Sequence, residues 1–156
     1  MNGLSHILLA SDGSESALHA AAYAGMLARL SSAKITLATV HQEDMLLPAY
    51  IEPVIWPGAM AAPAMSIEEI HAAVERNAEN ELFPAVITAC GEGVNIAPPV
   101  QLWGHVAESL CEYAQDHQVD MIVIGTRGHS SFKKLLLGSV STQVANHAHC
   151  PVTLVR

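Results

Sequence analysis

The strongest constraint on this 156-residue chain is the alternation of short apolar runs with stretches of helical spacing. Two of the runs, His6–Ser11 (HILLAS) and Asp120–Gly125 (DMIVIG), are almost continuously apolar. A strand with one face in water alternates in polarity, so strands that do not alternate are expected to be covered on both faces. Lys34–Val40, Val94–Gln101 and Pro151–Val155 are the other strand candidates. Pro98 and Pro99 donate no ladder hydrogen bond, which predicts a sheet edge for the third strand.

The intervening stretches carry helix signals. Residues 14–31 begin with Ser14 as a cap and set Ala17, Ala20, Ala21, Ala24, Leu27 and Ala28 at helical spacing. Residues 66–83 open with Ser66 and Glu69, a capping box, followed by Ile67, Ile70, Val74, Ala78 and Leu82. Pro84 is expected to kink or end that helix. Residues 105–117 and 139–148 give two more. Strands alternating with helices imply right-handed crossovers. The expected fold is therefore α/β, a single-domain doubly wound sheet of five mostly parallel strands with helices on both faces.

Composition narrows the function. Hydrophobic residues make up 51% and charged ones 14%, which excludes a disordered chain. A formal charge of −8 repels a phosphate backbone, so nucleic acid is not an expected partner, despite the local bases Arg127, Lys133 and Lys134. Cys90, Cys111 and Cys150 are widely spaced and odd in number, which fits reduced thiols in the cytoplasm better than a disulfide framework. The start, MNGLSHILLASDG, lacks the basic and long apolar regions of a signal peptide. Residues 45–65 are strongly apolar but carry Pro48, Pro53, Pro57, Pro63 and Glu52. The prolines break any membrane span, so an irregular apolar loop is expected.

Two stretches fall just beyond strands, where ligands bind in open α/β sheets. One is Ala10-Ser11-Asp12-Gly13-Ser14. The other is Gly125-Thr126-Arg127-Gly128-His129-Ser130, which runs on to Gly138-Ser139-Val140-Ser141 at a helix start. Glycines let backbone N–H groups approach an anion, and a helix N-terminus adds unpaired donors and a positive dipole end. The same residues are also ordinary turn and cap chemistry, so the pattern alone leaves a phosphate cradle and simple turns both open. Neither a Walker loop nor a dinucleotide fingerprint occurs. His147-x-His149-Cys150 holds metal-ligand types in close spacing, but no distant carboxylate completes a site.

Gly125-x2-Gly128-x9-Gly138-Ser139 resembles the nucleotide-binding signature of the universal stress protein family. The likeness extends over essentially the whole chain, through HILLASDGSE, VDMIVIGTRG and LLGSVSTQVANHAHCPVTLVR. It implies a strand order of 3-2-1-4-5 and an ATP site, with AMP or ADP as alternatives and Mg²⁺ accompanying the phosphates. By this resemblance Asp12 lies near the ribose, and Ala10, Ser11 and Val40 line the adenine side. Ile124, Gly125, Arg127, Gly128 and His129 cradle ribose and phosphate, and Gly138, Ser139, Val140 and Ser141 complete the phosphate grip. Ala10-Ser11 replaces a commoner proline or valine pair, and His129 stands where a basic residue is frequent.

The resemblance also implies a homodimer through the last strand, Pro151, Val152, Thr153, Leu154 and Val155, paired antiparallel across a two-fold axis. The expected function is a dimeric stress-response regulator with ATP as conformational ligand and no assigned catalytic residue. Two alternatives accompany it. One is a slow ATP hydrolase or phosphotransfer enzyme. The other is a nucleotide-independent interaction protein that docks a partner through the apolar loop 45–65. Ser11-Asp12-Gly13-Ser14-Glu15-Ser16 is only loosely similar to the SGGxDS loop of ATP-pyrophosphatase enzymes.

Overall fold

In the computed structural model, which describes residues 3–42, 66–128 and 138–156, the first apolar run forms β1, His6–Ala10, at the centre of the sheet. It pairs in parallel with β2 (Lys34–His41) on one side and β5 (Met121–Gly125) on the other. The remaining strands are β3 (Asn95–Ile96), β4 (Val100–Trp103) and β6 (Val152–Val155). The helices are α1 (Glu15–Ser31), α2 (Ile67–Asn77), α3 (Phe83–Cys90), α4 (Val106–Asp116) and α5 (Ser139–His147). Every strand pairing is parallel, and the order is β3-β2-β1-β5-β6 with β4 also on β2. Loop 45–65 and His129 lie outside the described residues.

The apolar runs are covered as their lack of alternation demands. Ile7, Leu9, Ile35, Leu37 and Val123 pack with the α1 alanines and with Phe83 and Val86 of α3. Leu8, Ala10, Ala38, Ile122 and Ile124 pack on the other face with Ala107, Leu110 and Val144 of α4 and α5. Ile7, Leu8 and Leu9 are fully buried. Each such side chain contributes about 1.5–3 kcal/mol over an exposed one. Among the described residues no helix is long and apolar enough to cross a membrane.

One expectation is corrected and another is narrowed. The stretch Val94–Gln101 is not one strand. Ala97 still donates to Ile35 O at 2.8 Å, but Pro98 and Pro99 have no N–H to continue the ladder. Pairing resumes at Val100 and runs to Trp103, so the sheet has six strands and the order 3-2-1-4-5 holds only approximately. Pro84 does not end its helix either. The segment Ala78–Leu82 is a π-helical turn in which Phe83 N donates to Ala78 O. The widened turn takes up the proline, which otherwise clashes with the carbonyl four residues back, and α3 continues to Cys90. The two caps are present as expected. Ser14 accepts from Ala17 N, and Ser66 and Glu69 make both bonds of a capping box.

At the opposite end of the strands from the glycine loops, Asp120 fastens the start of β1. Its Oδ2 accepts from Ser5 N, Ser5 Oγ and His6 N at 2.9, 2.6 and 2.9 Å. The Ser5 bonds, side chain first, hold this carboxyl below its ordinary range. His6 Nε2 shares a 2.9 Å hydrogen bond with Thr36 Oγ1. Burial, and after it the charge of Lys34, lowers the pKa of His6 below 6.5.

Two predictions follow from the packing and from His6. A Cβ on Gly25 would lie 1.9 Å from the Cys90 carbonyl oxygen, so Gly25→Ala must push α3 off α1. Urea unfolding is expected to show a loss of about 1–3 kcal/mol, as for other overpacked contacts. For His6, the unfolded chain binds a proton more readily than the folded one. Stability is therefore full above 6.5 and declines as the pH falls through 6.5 toward the lower folded value. Urea midpoints between about pH 8 and 5.5 should fall less in His6→Gln than in the parent, and parallel profiles would refute this.

Candidate functional site

The chain leaves β1 toward α1 on one face of the sheet, whereas the helices flanking β5, α4 and α5, lie on the other. With right-handed crossovers, such a switch in direction between neighbouring strands opens a crevice at their carboxyl ends. A cleft of about 400 Å³ lies there. Its walls include Ala10, Ser11 and Asp12 after β1, Val40 of β2, Ile124, Gly125, Arg127 and Gly128 around the end of β5, and Gly138, Ser139, Val140 and Ser141 at the start of α5. All the expected nucleotide residues within the described regions thus share one cleft.

Seven further residues line it: Ala17, Ala38, Thr39, Gln42, Val106, Leu110 and Thr126. Val106 and Leu110, four apart on α4, form an apolar wall with Val40, Ala38, Ala10 and Ile124. Their helical spacing was visible in the sequence, but not the surface they face. Thr126 lies inside the glycine motif itself, where attention to the glycines passes over it.

The polar end is braced from two helix starts. Ser14 N donates to Asp12 Oδ1 at 3.0 Å. Ser14 Oγ donates to Arg127 O at 3.2 Å, Ser16 Oγ donates to the same carbonyl, and Arg127 N donates back to Ser16 Oγ at 3.3 Å. This close approach requires glycine in β5, because a Cβ on Gly125 would sit 2.5 Å from Ser16 Oγ and 2.8 Å from the Ser16 carbonyl carbon. At the other helix, Gly138 N donates to Thr126 O at 2.7 Å.

Gly138 is the N-cap residue of α5 and supplies no side-chain cap. The first helical bond runs from Thr142 N to Gly138 O at 3.1 Å. The N–H groups of Ser139, Val140 and Ser141 therefore have no acceptor within the helix. The Ser141 hydroxyl donates inward, to Gly138 O at 3.0 Å or Thr126 O at 3.4 Å, and the residue is buried. Ser139 is exposed. A Cβ on Gly128 would come within 2.6 Å of Asp12 Oδ2, so a side chain there has to displace the carboxylate. The arrangement offers backbone donors and a positive dipole end beside an apolar wall, which is chemistry for a ligand with a flat apolar part and an anionic part.

A second cavity of about 330 Å³ lies between α4 and α5, lined by Glu108, Cys111, Glu112 and His147 among others. Its acids disfavour an anion. His147 Nδ1 lies 2.8 Å from Gln143 O, and burial raises the Cys150 thiol pKa. Among the described residues no group of three or more His, Cys, Asp or Glu is placed to hold a metal ion.

Comparison with known proteins bears on the family and the fold. The model of the universal stress protein family matches residues 3–156. A universal stress protein of Thermus aquaticus, from the QAH/OAS sulfhydrylase 3′ region, is 37% identical over 150 residues, covering 96% of this chain and 97% of the relative. Among solved structures, a universal stress protein in complex with cAMP has a TM-score of 0.60 at 24% identity, covering 99% of this chain and 98% of its own. The universal stress protein from Archaeoglobus fulgidus in complex with dAMP has a TM-score of 0.57 at 21% identity, with both chains covered in full.

Proposed function

The chain belongs to the universal stress protein family, and from that premise we propose that the β1–β5 cleft binds an adenine nucleotide, ATP foremost, as the conformational ligand of a homodimeric regulator. The observation that carries this reading is the start of α5, whose N-cap glycine supplies no side-chain cap, on the same cleft as the apolar wall of Val40, Val106, Leu110 and Ile124. The wall suits a purine and the first-turn N–H groups suit phosphate. Two solved proteins of this fold carry adenine nucleotides, cAMP and dAMP, in agreement with such a ligand. In this reading Asp12 meets the ribose, and Arg127 with the N–H groups of Gly128, Ser139 and Val140 meets the phosphates. Glycine at 128 leaves the backbone beside the Asp12 carboxylate, which places the two proposed ligand contacts next to each other. ADP and AMP fit the same cleft with fewer phosphate contacts. Mg²⁺ would travel with the phosphates and be held chiefly by them and by water.

The homodimer rests on β6. Among the described residues it pairs with β5 alone, and Val152, Thr153, Leu154 and Val155 are half-buried along that edge of the sheet. A strand edge of this kind pairs readily with its own copy across a two-fold axis.

Thermal unfolding of nucleotide-free protein with ATP and Mg²⁺ tests the site. Ligand at a hundred times its dissociation constant stabilises by about 2.7 kcal/mol, or roughly 5–10 °C for a domain of this size. Gly128→Trp, whose ring would fill the space at Asp12, should fold with an unchanged circular dichroism spectrum and lose the rise. No rise in the parent protein would overturn the reading. Light scattering at micromolar concentration should give the mass of a dimer, and a monomer would refute the β6 pairing.

A further inference from the structure

Thr126 stands between Gly125 and Arg127 with both backbone groups engaged. Its N–H donates to Val155 O at 2.7 Å, and its carbonyl accepts from Gly138 N at 2.7 Å. The side-chain hydroxyl is different. The residue is only 2% exposed, yet Oγ1 has no hydrogen-bond partner, alone in this among the buried side-chain polar atoms of the described residues. A buried hydroxyl left without a partner is a standing cost to the fold. Valine has the same shape without the oxygen, so packing alone gives no reason for threonine here.

The surroundings supply a reason. Thr126 lines the cleft and is bonded through its carbonyl to the N-cap residue of α5, where first-turn N–H groups favour an anion. The neighbouring Ser141 hydroxyl is already donated to backbone carbonyls. We infer that Thr126 is a phosphate-contacting, affinity-determining residue whose buried hydroxyl, which has no partner within the protein, donates to a phosphate oxygen of the bound nucleotide. This rests on the nucleotide reading above. Rotation about χ1 carries the hydroxyl to another staggered position while the backbone stays fixed by its two 2.7 Å bonds. The fold thus carries a small cost at Thr126 that the ligand removes, which makes the contact favour the bound state.

The test measures two properties of Thr126→Val and Thr126→Ser against the parent. One is the melting temperature without ligand. The other is calorimetric affinity for ATP with Mg²⁺, AMP and adenosine. Thr126→Val should melt about 2–4 °C higher, because the unpaired oxygen is gone. It should bind ATP and AMP about tenfold or more weakly, since a hydrogen bond to a charged group is lost, and adenosine as tightly as the parent. Thr126→Ser should keep the parent affinities. Undiminished ATP binding by Thr126→Val would overturn the inference, as would an equal loss for adenosine, which moves the contact to sugar or base. A lower melting temperature for Thr126→Val would also overturn it by showing that the hydroxyl serves the fold. If Thr126→Val does not fold, Thr126→Ala is judged by the same affinity ratios. If the parent binds no adenine nucleotide at all, the nucleotide reading fails and the inference with it; binding by the parent with no effect at Thr126 sinks the inference alone.

Discussion

Strand β1 has neighbours on every side, with β2 and β5 along its edges, α1 and α3 over one face, and α4 and α5 over the other. A strand so enclosed reaches water only at its ends, and this fixes where polar residues after it go. Ala10 is buried and pairs with both Ala38 and Ile124, and two residues later Asp12 is exposed. The same enclosure forces the crossovers of β1 and β5 to opposite faces, so the chain parts at their carboxyl ends instead of closing over them. The cleft is thus a consequence of sheet topology, and its residues need only be suited to what that opening admits.

How tightly the opening is shaped depends on side chains that are nearly absent. Ala17, Ala20, Ala21, Ala24, Gly25 and Ala28 form the buried stripe of α1. Their small size lets the helix lie close on the sheet and on α3. That closeness brings Ser14 and Ser16, both short, within reach of the Arg127 carbonyl across more than a hundred residues of sequence. A larger residue at Gly125 would lift the start of α1 and release the loop that follows β5. The site and the core are therefore one packing problem, and alanine in the helix is as necessary to the cleft as glycine in the loop.

Much of this was legible in the sequence because the signals were local. HILLAS and DMIVIG declare burial on both faces, and Ser66 with Glu69 declares a helix start, without reference to anything distant. Local rules misled where a second element intervened. Pro84 is a helix breaker in isolation, yet a π-helical turn placed just before it lets the chain run on to Cys90. Pro98 and Pro99 interrupt a strand, but β2 is long enough to pair with the pieces on either side, so the interruption yields two strands where one was expected. Thr39, Val106, Leu110 and Thr126 escaped the site reading because their membership is set by which surfaces meet in space. The glycine motif could not by itself separate a phosphate cradle from turn chemistry. The structure shows that the same glycines serve close packing, and the two roles are compatible.

Thr126 also joins the cleft to the rest of the molecule. Its carbonyl receives Gly138 at the start of α5, and its N–H reaches Val155, whose strand is the last in the sheet among the described residues. A ligand that displaced Thr126 would act, through these two bonds, on both the start of α5 and the end of β6. If β6 is the surface on which two copies meet, the proposed ligand contact at Thr126 is one hydrogen bond from it, and the two would be coupled in both directions. Whatever nucleotide does to pairing, pairing must do to nucleotide affinity by the same factor. That coupling requires no catalytic step. If the proposed nucleotide and pairing both hold, it would give a small protein a means of reporting that nucleotide at its edge.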